Sequence, residues 1–504
     1  MRVTLAGYNV DTDVLKEIER KTGKREDLTP EVLSAAYARI SRDPRDIDEI
    51  RKEARTEVEK TRRSNSTIIF KMGHHSVAEH AVFNLDIIGV SRLAMEELEK
   101  FRLCSYTEKS QRYITLDNDY VMPKELKGTS LEQEFIDVIN LQNEAYFKLF
   151  ENLKKHIFEK HADLSKDPKN HNLLEGWAKE DARYITALAT ESQVGHTING
   201  RNLELLLRRF ASNPLSEVQE LGRAIYGQIS GVAPSIVIFH QANDRDLKTY
   251  PELKDLSREI VKKYGNKKIT DRVNEVELSE FTPNGDELVA AAILHTSTAL
   301  SYEQCKEIVQ KMSIKDKKNI FSSSWRNMQL YDSMIREFEY VNLTFDIVLS
   351  SACFGQLKRH RMSTITAQEY DPGLGNTIPQ NIKEIGMESY FMGIVDKTNK
   401  VYEKIKEVIP LAAPYVLTNS HRKRVLMRAN AREVYHVSRL REDAHAQWDV
   451  QNISRRMVEE AKKVMPLTFE FAGGKDRFKE IYKSVFGEDP KVAEVALPGA
   501  RKIK

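Results

Sequence analysis

The sequence predicts an α+β protein made of two related modules in tandem, each a small sheet packed with long helices. Three observations support this prediction. The chain has 504 residues, which is too long for one hydrophobic core of ordinary size. A strand-like alternation followed by a helical pattern occurs twice, beginning at residues 3–8 and 276–281. Amphipathic segments fill much of the remainder, at residues 130–158, 200–230, 385–409 and 424–464.

The two strand-like openings are each succeeded by a similar helical segment. The first strand pattern leads to TPEVLSAAYARI at residues 29–40, and the second leads to NGDELVAAAILHT at residues 284–296. Both segments combine a turn or capping residue with apolar positions at helical spacing. Further short strands are expected around residues 82–90 and 341–350, where apolar and polar residues again alternate.

Several motifs recur in the same order in the two halves. Basic triplets stand at residues 100–102 (Lys-Phe-Arg) and 359–361 (Arg-His-Arg). An Asn-x-Arg motif opens a helical stretch at residues 199–201 and again at residues 430–432. Self-similarity of this kind indicates a duplicated unit. We therefore divide the chain into a first module at residues 1–245, a linker at 246–273 and a second module at 274–504.

Composition excludes several classes of protein. Charged residues make up 30% of the chain, but the formal net charge is only +3, so no nucleic-acid partner is expected. No stretch of about 18 apolar residues and no signal-peptide pattern are found, so we expect a cytoplasmic protein without a membrane partner. The three cysteines have no CxxC spacing, and His74, His75 and His80 lack a zinc-site pattern, so no metal is expected.

A cluster of polar residues in the first half suits a phosphate group. Ser105, Glu108, Ser110 and Arg112 lie within eight residues. Serine hydroxyls, backbone N–H groups and an arginine fork provide the charge-assisted hydrogen bonds that a phosphate monoester needs. An ordinary surface loop could carry the same residues, so on chemistry alone both interpretations stand.

Two basic clusters in the second half complete the candidates. In Gln356-Leu357-Lys358-Arg359-His360-Arg361, two guanidinium groups flank an imidazole, which suits an anionic cofactor or a flavin ring. An exposed basic turn is the other interpretation. Downstream, Arg432, His436 and Arg439 have the spacing of one helix face, whereas Arg441 falls on a different side.

Taken together, these motifs resemble the flavin-dependent thymidylate synthases. The signature of that family is an RHR triplet, seven residues and then serine. The first half keeps the gap and Ser110 but has Lys100-Phe101-Arg102 as its triplet, whereas the second half keeps Arg359-His360-Arg361 but has Glu369 at the serine position. An AQW segment at residues 446–448 also matches the family. The resemblance covers roughly residues 1–240 and 274–470.

The resemblance implies a substrate, a carbon donor and cofactors. In the family, reduced flavin carries a one-carbon unit from methylenetetrahydrofolate to C5 of the uracil of dUMP, and NADPH is the usual reductant. The family forms homotetramers, so a homodimer of this duplicated chain is expected. By resemblance, the flavin (FAD) contacts are Ser76, Asn199, Arg201, Arg359, His360, Arg361, Asn430, Arg432 and His436.

The losses in the two halves are complementary. Substrate-binding positions of one kind are kept only in the first half, as Glu108, Ser110, Arg112 and Arg183, where the second half has Ala367, Glu369 and Pro414. The partner positions are kept only in the second half, as Gln356, Arg359 and Arg441, where the first half has Glu97, Lys100 and Phe210. We therefore expect one complete set per chain, with Arg441 as the catalytic group that favours ionisation of the uracil at N3.

Two other functions stay open at this point. The altered loop 362–373 and the missing serine at position 369 are compatible with a flavin- or nucleotide-binding protein that has no synthase activity. A flavin-dependent one-carbon transfer to another pyrimidine nucleotide is the second alternative. The sequence does not distinguish a folate from a methanopterin carbon donor.

Overall fold

Two four-stranded antiparallel sheets with the same topology organise the chain. The computed structural model describes residues 1–10, 17–18, 20–21, 29–40, 43–71, 73–111, 119–265 and 274–491. The first sheet has the order β1-β2-β4-β3, with strands β1 (Arg2–Tyr8), β2 (Val82–Ser91), β3 (Cys104–Glu108) and β4 (Glu191–Asn199). The second has the order β5-β6-β8-β7, with strands β5 (Val276–Phe281), β6 (Asn342–Ser350), β7 (Thr364–Ala367) and β8 (Arg422–Asn430). The predicted α+β class with a small sheet in each half is confirmed.

The helices of the first half end with a long helix that precedes the second sheet. They are α1 (Glu31–Arg39), α2 (Ile47–Thr56), α3 (Val58–Ser66), α4 (Arg92–Leu98), α5 (Glu132–Lys160), α6 (Ala162–Ser165), α7 (His171–Ala182), α8 (Gly200–Ala211), α9 (Ser216–Ile229) and α10 (Asp244–Tyr264). Short 3₁₀ helices cover His75–His80 and Arg183–Ile185. The amphipathic segment predicted at 130–158 is α5. The one at 200–230 is two helices, because Pro214 cannot continue a helix.

The second half has helices in corresponding places. They are α11 (Gly285–Ser297), α12 (Tyr302–Lys311), α13 (Ile314–Trp325), α14 (Ser351–Leu357), α15 (Gln380–Glu384), α16 (Glu388–Val408), α17 (Ala431–Arg441), α18 (Trp448–Val464) and α19 (Phe478–Phe486). Short 3₁₀ helices cover Arg336–Tyr340 and Ala413–Val416. The amphipathic segment predicted at 385–409 is α16.

The prediction of one long amphipathic helix at 424–464 is wrong at its start. Residues 422–430 form β8, a central strand that pairs with both β6 and β7. Val425, Met427 and Ala429 point into the core at alternate positions, which is the period of a strand. The helical pattern begins only after Asn430, whose side chain caps α17 by accepting a hydrogen bond from the Glu433 N–H at 2.8 Å.

The chain forms two compact units that do not follow sequence order. The first unit comprises Met1–Ile269 and Ile378–Asn419, and the second comprises Thr270–Thr377 and Ser420–Lys504. The inserted segment is joined to the first unit by buried hydrogen bonds from the Gln142 amide to Thr398 and to the Val416 carbonyl, both at 2.8 Å. The division of the sequence at 245 and 274 therefore stays a prediction about the repeat.

Each unit has its own core beneath its sheet. In the first unit, apolar residues of β2 pack in one cluster with those of α8 and α9, among them Phe83, Leu85, Leu206, Phe210 and Leu221. In the second, β6 packs with α17 and α18 through Leu343, Phe345, Val434, Tyr435 and Met457. These cores hold each sheet against the helices that carry the candidate residues. Within the described residues, no helix combines the length and the apolar composition needed to cross a bilayer.

Candidate functional site

The Arg-His-Arg triplet of the second unit comes directly after a short helix that is fixed at both ends. Ser350 ends β6 and caps α14: its hydroxyl accepts from the Cys353 N–H at 3.0 Å and donates to Asp449 Oδ2 at 2.6 Å. α14 is buried along most of its length, so the turn that succeeds it has a defined position. His360 is buried in this turn, Arg361 is half-buried and Arg359 is exposed.

Three predicted residues of the second unit meet at this turn. Arg441, the last residue of α17, donates from Nε to His360 Nε2 at 2.8 Å and from Nη1 to Gln356 Oε1 at 3.2 Å. The guanidinium group is therefore held in one orientation by two acceptors that come from a segment some 80 residues earlier in the chain. We call Gln356, His360 and Arg441 the arginine cluster.

The imidazole in this cluster is neutral. Burial, together with the adjacent Arg441 charge, lowers the pKa of His360 to about 3. Because His360 Nε2 accepts a hydrogen bond from Arg441, the ring proton lies on Nδ1, 3.6 Å from Glu433 Oε1. Burial raises the pKa of Glu433 and lowers that of His436, whose ring contacts His360 edge to face at 5.6 Å. The imidazole that accepts the hydrogen bond from Arg441 is thus a neutral acceptor.

The other basic residues of α17 point elsewhere. Arg432 bonds to the Met334 carbonyl at 2.6 Å and to Glu339 at 2.8 Å, and Arg439 bonds to backbone carbonyls of Gln329, Leu330 and Asp332. At 100° per residue, Arg432, His436 and Arg439 lie within about 60° of one another on α17, as their spacing predicts. Their partners differ, because His436 contacts the ring of His360.

The phosphate-binding candidates of the first unit lie at the end of an edge strand. Residues 104–108 are β3, which pairs with β4, so the predicted loop begins only after Glu108. The Glu108 carboxylate accepts hydrogen bonds from Arg92 at 2.5 Å and from the Ser192 hydroxyl at 3.0 Å. Both charged side chains are buried, and the Glu108 carboxylate, acting against the effect of burial, raises the pKa of Arg92. Ser110 is half-buried, and Arg112 lies outside the described residues.

The remaining first-unit substrate candidate, Arg183, is buried beside a network of side-chain amides. It begins the 3₁₀ helix after α7, and its carbonyl accepts from the Asn419 amide at 3.1 Å. Asn419 also donates to Gln111 at 3.3 Å and to the Thr186 hydroxyl at 3.0 Å. The segment that carries Ser110 and Gln111 is thereby tied to the segment that carries Arg183 within one unit.

The first-unit flavin candidates lie at the start of α8 and in the nearby 3₁₀ helix. Asn199 caps α8 by accepting from the Asn202 N–H at 3.0 Å, and Arg201 pairs with Glu79 at 2.6 Å. Ser76 is exposed on the same 3₁₀ helix as Glu79. The arrangement repeats in the second unit, where Asn430 caps α17 and Arg432 pairs with Glu339.

The first unit has no counterpart of the arginine cluster among its described residues. The position that corresponds to His360 holds Phe101, and the one that corresponds to Arg441 holds Phe210; their rings contact each other at 6.1 Å. Glu97, in the place of Gln356, pairs with Lys100 and accepts from the Asn213 amide at 3.0 Å. The first unit thus has an aromatic contact where the second unit has a polar one.

Sequence reasoning missed several residues that hold the candidates in place. Arg92 and Ser192 fix Glu108, Glu433 lies beside His360, and Asn419 links two substrate segments. Of these residues, only Arg92 could have been found from the sequence. It comes directly after the Ser91 cap, at the position that Ser351 has after the Ser350 cap, and a charged residue directly after a buried strand needs a partner.

Comparison with known proteins identifies the relatives of this chain. A model of the family described as thymidylate synthase complementing protein matches residues 26–235 and 277–467. A UPF0159 protein of Chlamydia muridarum is 25% identical over 415 residues, which are 79% of this chain and 78% of the relative. A flavin-dependent thymidylate synthase of Clostridium tetani is 28% identical over 212 residues, which are 41% of this chain and 80% of the relative.

A solved structure adds a further similarity. A flavin-dependent thymidylate synthase from Helicobacter pylori, complexed with FAD and dUMP, is 22% identical and covers 48% of this chain and 100% of its own, with a TM-score of 0.28. The synthase of Clostridium tetani matches 41% of this chain, whereas the family model matches it in two separate segments. The two matches agree with the predicted tandem arrangement.

Proposed function

Because this chain belongs to the thymidylate synthase complementing protein family, we propose that it is a flavin-dependent thymidylate synthase that methylates dUMP to dTMP. Methylenetetrahydrofolate is the proposed carbon donor and NADPH the proposed reductant. The observation that supports this most strongly is the arginine cluster, in which a neutral His360 and Gln356 orient Arg441. A cluster of this kind is more than a solvated basic turn, because its central imidazole is buried.

The residues around the triplet suit FAD as the cofactor. The side chains of Arg359 and Arg361 are accessible and carry only donors, which match phosphate oxygens and the electron-rich edge of a flavin. His360 Nδ1 and Glu433 Oε1 are buried polar atoms without a hydrogen-bond partner among the described residues. Arg432 and Arg201 are accessible at their ion pairs with glutamates, so both can accept a second anionic partner. Ser76, Asn199, Asn430 and His436 complete the proposed set.

In this proposal the protein orients the substrate and stabilises charge, while bound reduced FAD supplies the one-carbon transfer and the reducing equivalents. Arg441 donates to the uracil and stabilises its ionised form at N3, which activates C5 without a protein nucleophile. The fixed Arg441–His360 hydrogen bond matters here because a guanidinium that is already oriented loses little entropy when the substrate binds.

The nucleotide phosphate is assigned to the first unit. Ser110, Arg112 and Arg183 supply hydroxyl and guanidinium donors. The charge of the Glu108 carboxylate is balanced by Arg92. In this proposal Glu108 accepts a hydrogen bond from the deoxyribose. Turnover in this proposal requires both this set and the set of Gln356, Arg359 and Arg441. A homodimer is the proposed assembly.

The experiment that tests the proposal is turnover by the purified holoenzyme. We expect the protein to retain a flavin, seen in its visible absorbance, and to form dTMP from dUMP, methylenetetrahydrofolate and NADPH. Arg183→Gln and Arg441→Ala should each lower turnover by about a hundred-fold or more while leaving a cooperative thermal transition. A colourless protein, or variants that turn over at the parental rate, would contradict the proposal.

Mixing the two inactive variants tells whether both sets come from one chain. If each working site takes its two sets from different chains of a dimer, co-refolded Arg183→Gln and Arg441→Ala chains should regain about a quarter of the parental activity. If both sets come from one chain, the mixture stays inactive. Mixing either variant with itself is the matched control.

A binding protein without synthase activity is the second candidate, because Glu369 replaces the signature serine in the second half and is exposed. Saturable binding of dUMP to a flavin-loaded protein that forms no dTMP with either carbon donor would favour it. Competition by UMP or dCMP against dUMP separates one-carbon transfer to a different pyrimidine.

A further inference from the structure

The helix α10 (Asp244–Tyr264) has an apolar face that the first unit leaves largely exposed. Its large apolar residues recur at helical spacing, and each is between 48% and 73% exposed: Leu247, Tyr250, Leu253, Leu256, Ile260, Val261 and Tyr264. At 100° per residue they share one half of the helix, and nearly all of the charged residues share the other half. We call these seven residues the α10 stripe.

The helix is a well-defined element rather than a frayed tail. Asn243 and Asp246 form a capping box at its start. Asp246 is buried and pairs with Arg208 at 2.9 Å and with Arg209 at 3.3 Å, which fastens the first turn to α8. Beyond this anchor, no residue of α10 is buried. An isolated helix gains most of its stability from packing of its apolar face, so a stripe of this length requires a partner.

From these features we propose that the α10 stripe binds the α10 stripe of a second copy of this chain in antiparallel orientation. The helix dipoles support this orientation, because an antiparallel pair places the positive N-terminal end of each helix beside the negative C-terminal end of the other. Asp244 of one helix then lies at the same end of the pair as Lys262 and Lys263 of the other. Parallel pairing would bring like helix ends together.

The size of the stripe agrees with a stable dimer. Seven large side chains, half to three-quarters exposed, present an area on the order of the ~800 Å² per partner that standard-size interfaces bury. A contiguous apolar patch of this size marks an interaction surface. The polar half of α10 carries acidic and basic residues in nearly equal number, whereas helices that lie on membranes have a mainly basic polar face. Charge therefore favours a protein partner over a lipid surface.

Mass measurement in solution tests the pairing without reference to activity. Leu253→Asp/Ile260→Asp places two carboxylates on the exposed stripe, where they disturb no internal contact of the monomer. We expect light scattering to show a mass that falls by half relative to the parent, with a dimer dissociation constant raised about a hundred-fold or more, because unpaired charges would be buried. Lys248→Asp, on the polar half, makes the same change in net charge and should leave the mass unchanged.

Disulfide trapping tests the orientation. The native cysteines are all buried, so an added thiol on the stripe is selective. Leu253→Cys lies near the middle of α10 and should form a covalent dimer on oxidation, whereas Tyr264→Cys, at one end, should not; parallel helices would trap both.

Three results would overturn the proposal. They are a monomeric parent chain, an assembly whose mass is unchanged by Leu253→Asp/Ile260→Asp, and flotation of the parent with anionic vesicles that the double variant abolishes. A monomeric parent whose α10 becomes protease-sensitive only in the double variant would show that the second unit covers the stripe instead.

Discussion

The two units have equivalent strands and helices, but at one position the first unit has an aromatic contact and the second has a polar contact. In both, a helix succeeds the serine-capped end of the second strand, and another helix succeeds the capping asparagine of the last. Where these helices approach each other, the first unit has Phe101 against Phe210, and the second has His360 against Arg441. The aromatic pair contributes packing alone, whereas the polar pair holds the charged guanidinium group of Arg441 in a fixed orientation. Among the described residues, only the second unit therefore has a charged group in a fixed orientation at this position.

At a second position, on the edge strands β3 and β7, it is the first unit that has the polar contact. The register of the strands makes Glu108 equivalent to Ala367, since each is opposite a valine of the neighbouring strand, Val194 or Val425. Glu108 is buried against Arg92, whereas Ala367 is exposed. Each unit therefore has one of the two polar arrangements and lacks the other at the equivalent position.

The largest expected effect comes from breaking the arginine cluster. Arg441→Ala should lower the rate of dTMP formation by about a hundred- to a thousand-fold, the usual effect of removing one preorganised donor. Phe210→Leu changes the equivalent position in the first unit and nearly conserves volume, so it should leave the rate per folded molecule unchanged. Steady-state kinetics with flavin occupancy measured in parallel decides the matter. Equal losses in both variants would show that the position acts through packing.

The buried ion pair is expected to have the next largest effect, on stability. Glu108→Ala leaves Arg92 buried without its hydrogen-bonded partner and should lower the free energy of unfolding by about 3 kcal/mol. Ala367→Glu, at the equivalent exposed position, should change it by less than about 0.5 kcal/mol. Calorimetry on both variants checks this, and similar values for the two would refute the assignment of Glu108 to a buried pair.

Much of this arrangement could be predicted from sequence periodicity, and the rest could not for identifiable reasons. The strands β1, β2, β5 and β6 are predicted by the alternation of apolar and polar residues. β8 was not predicted, because it contains basic residues and continues directly into α17, so the combined segment has a helical pattern. It is a strand because it pairs with β6 on one side and β7 on the other. Propensity is a weak guide where tertiary pairing decides.

The candidate residues were predicted by motif, but their contacts depend on the fold. The sequence shows that His360 and Arg441 are present, yet their hydrogen bond joins residues 81 positions apart. The role of Arg92 as the partner of Glu108 requires knowing that α4 and β3 approach each other. The insertion of residues 378–419 into the first unit has no local signal, because helix α16 is amphipathic wherever it packs.

The smallest of the expected effects separates the two units by pH. Burial lowers the pKa of His360 to about 3 and that of His196, a core residue of the first unit, to about 4. A histidine whose pKa is lowered in the folded state binds a proton in the unfolded state first. Its contribution to stability is therefore complete above about pH 6.5 and is lost as the pH falls toward the folded pKa. Each unit should lose about 2 kcal/mol between pH 7.5 and pH 5 from its own histidine.

Tryptophan fluorescence can assign this loss to one unit. Trp177 lies in the first unit, and Trp325 and Trp448 lie in the second, so Trp177→Phe leaves a chain that reports on the second unit alone. In that background, His360→Phe introduces the ring that the first unit has at the same position and should remove about 2 kcal/mol of the pH dependence seen in urea titrations. His196→Phe should leave the second unit's dependence unchanged. The raised pKa of Glu433 has the opposite effect, since it increases stability as the pH falls. This effect is present with and without the His360→Phe change, so the difference between the two proteins isolates the contribution of His360. An unchanged pH dependence in His360→Phe would mean that His360 is protonated in the folded protein, and the arginine cluster would then lack its neutral acceptor.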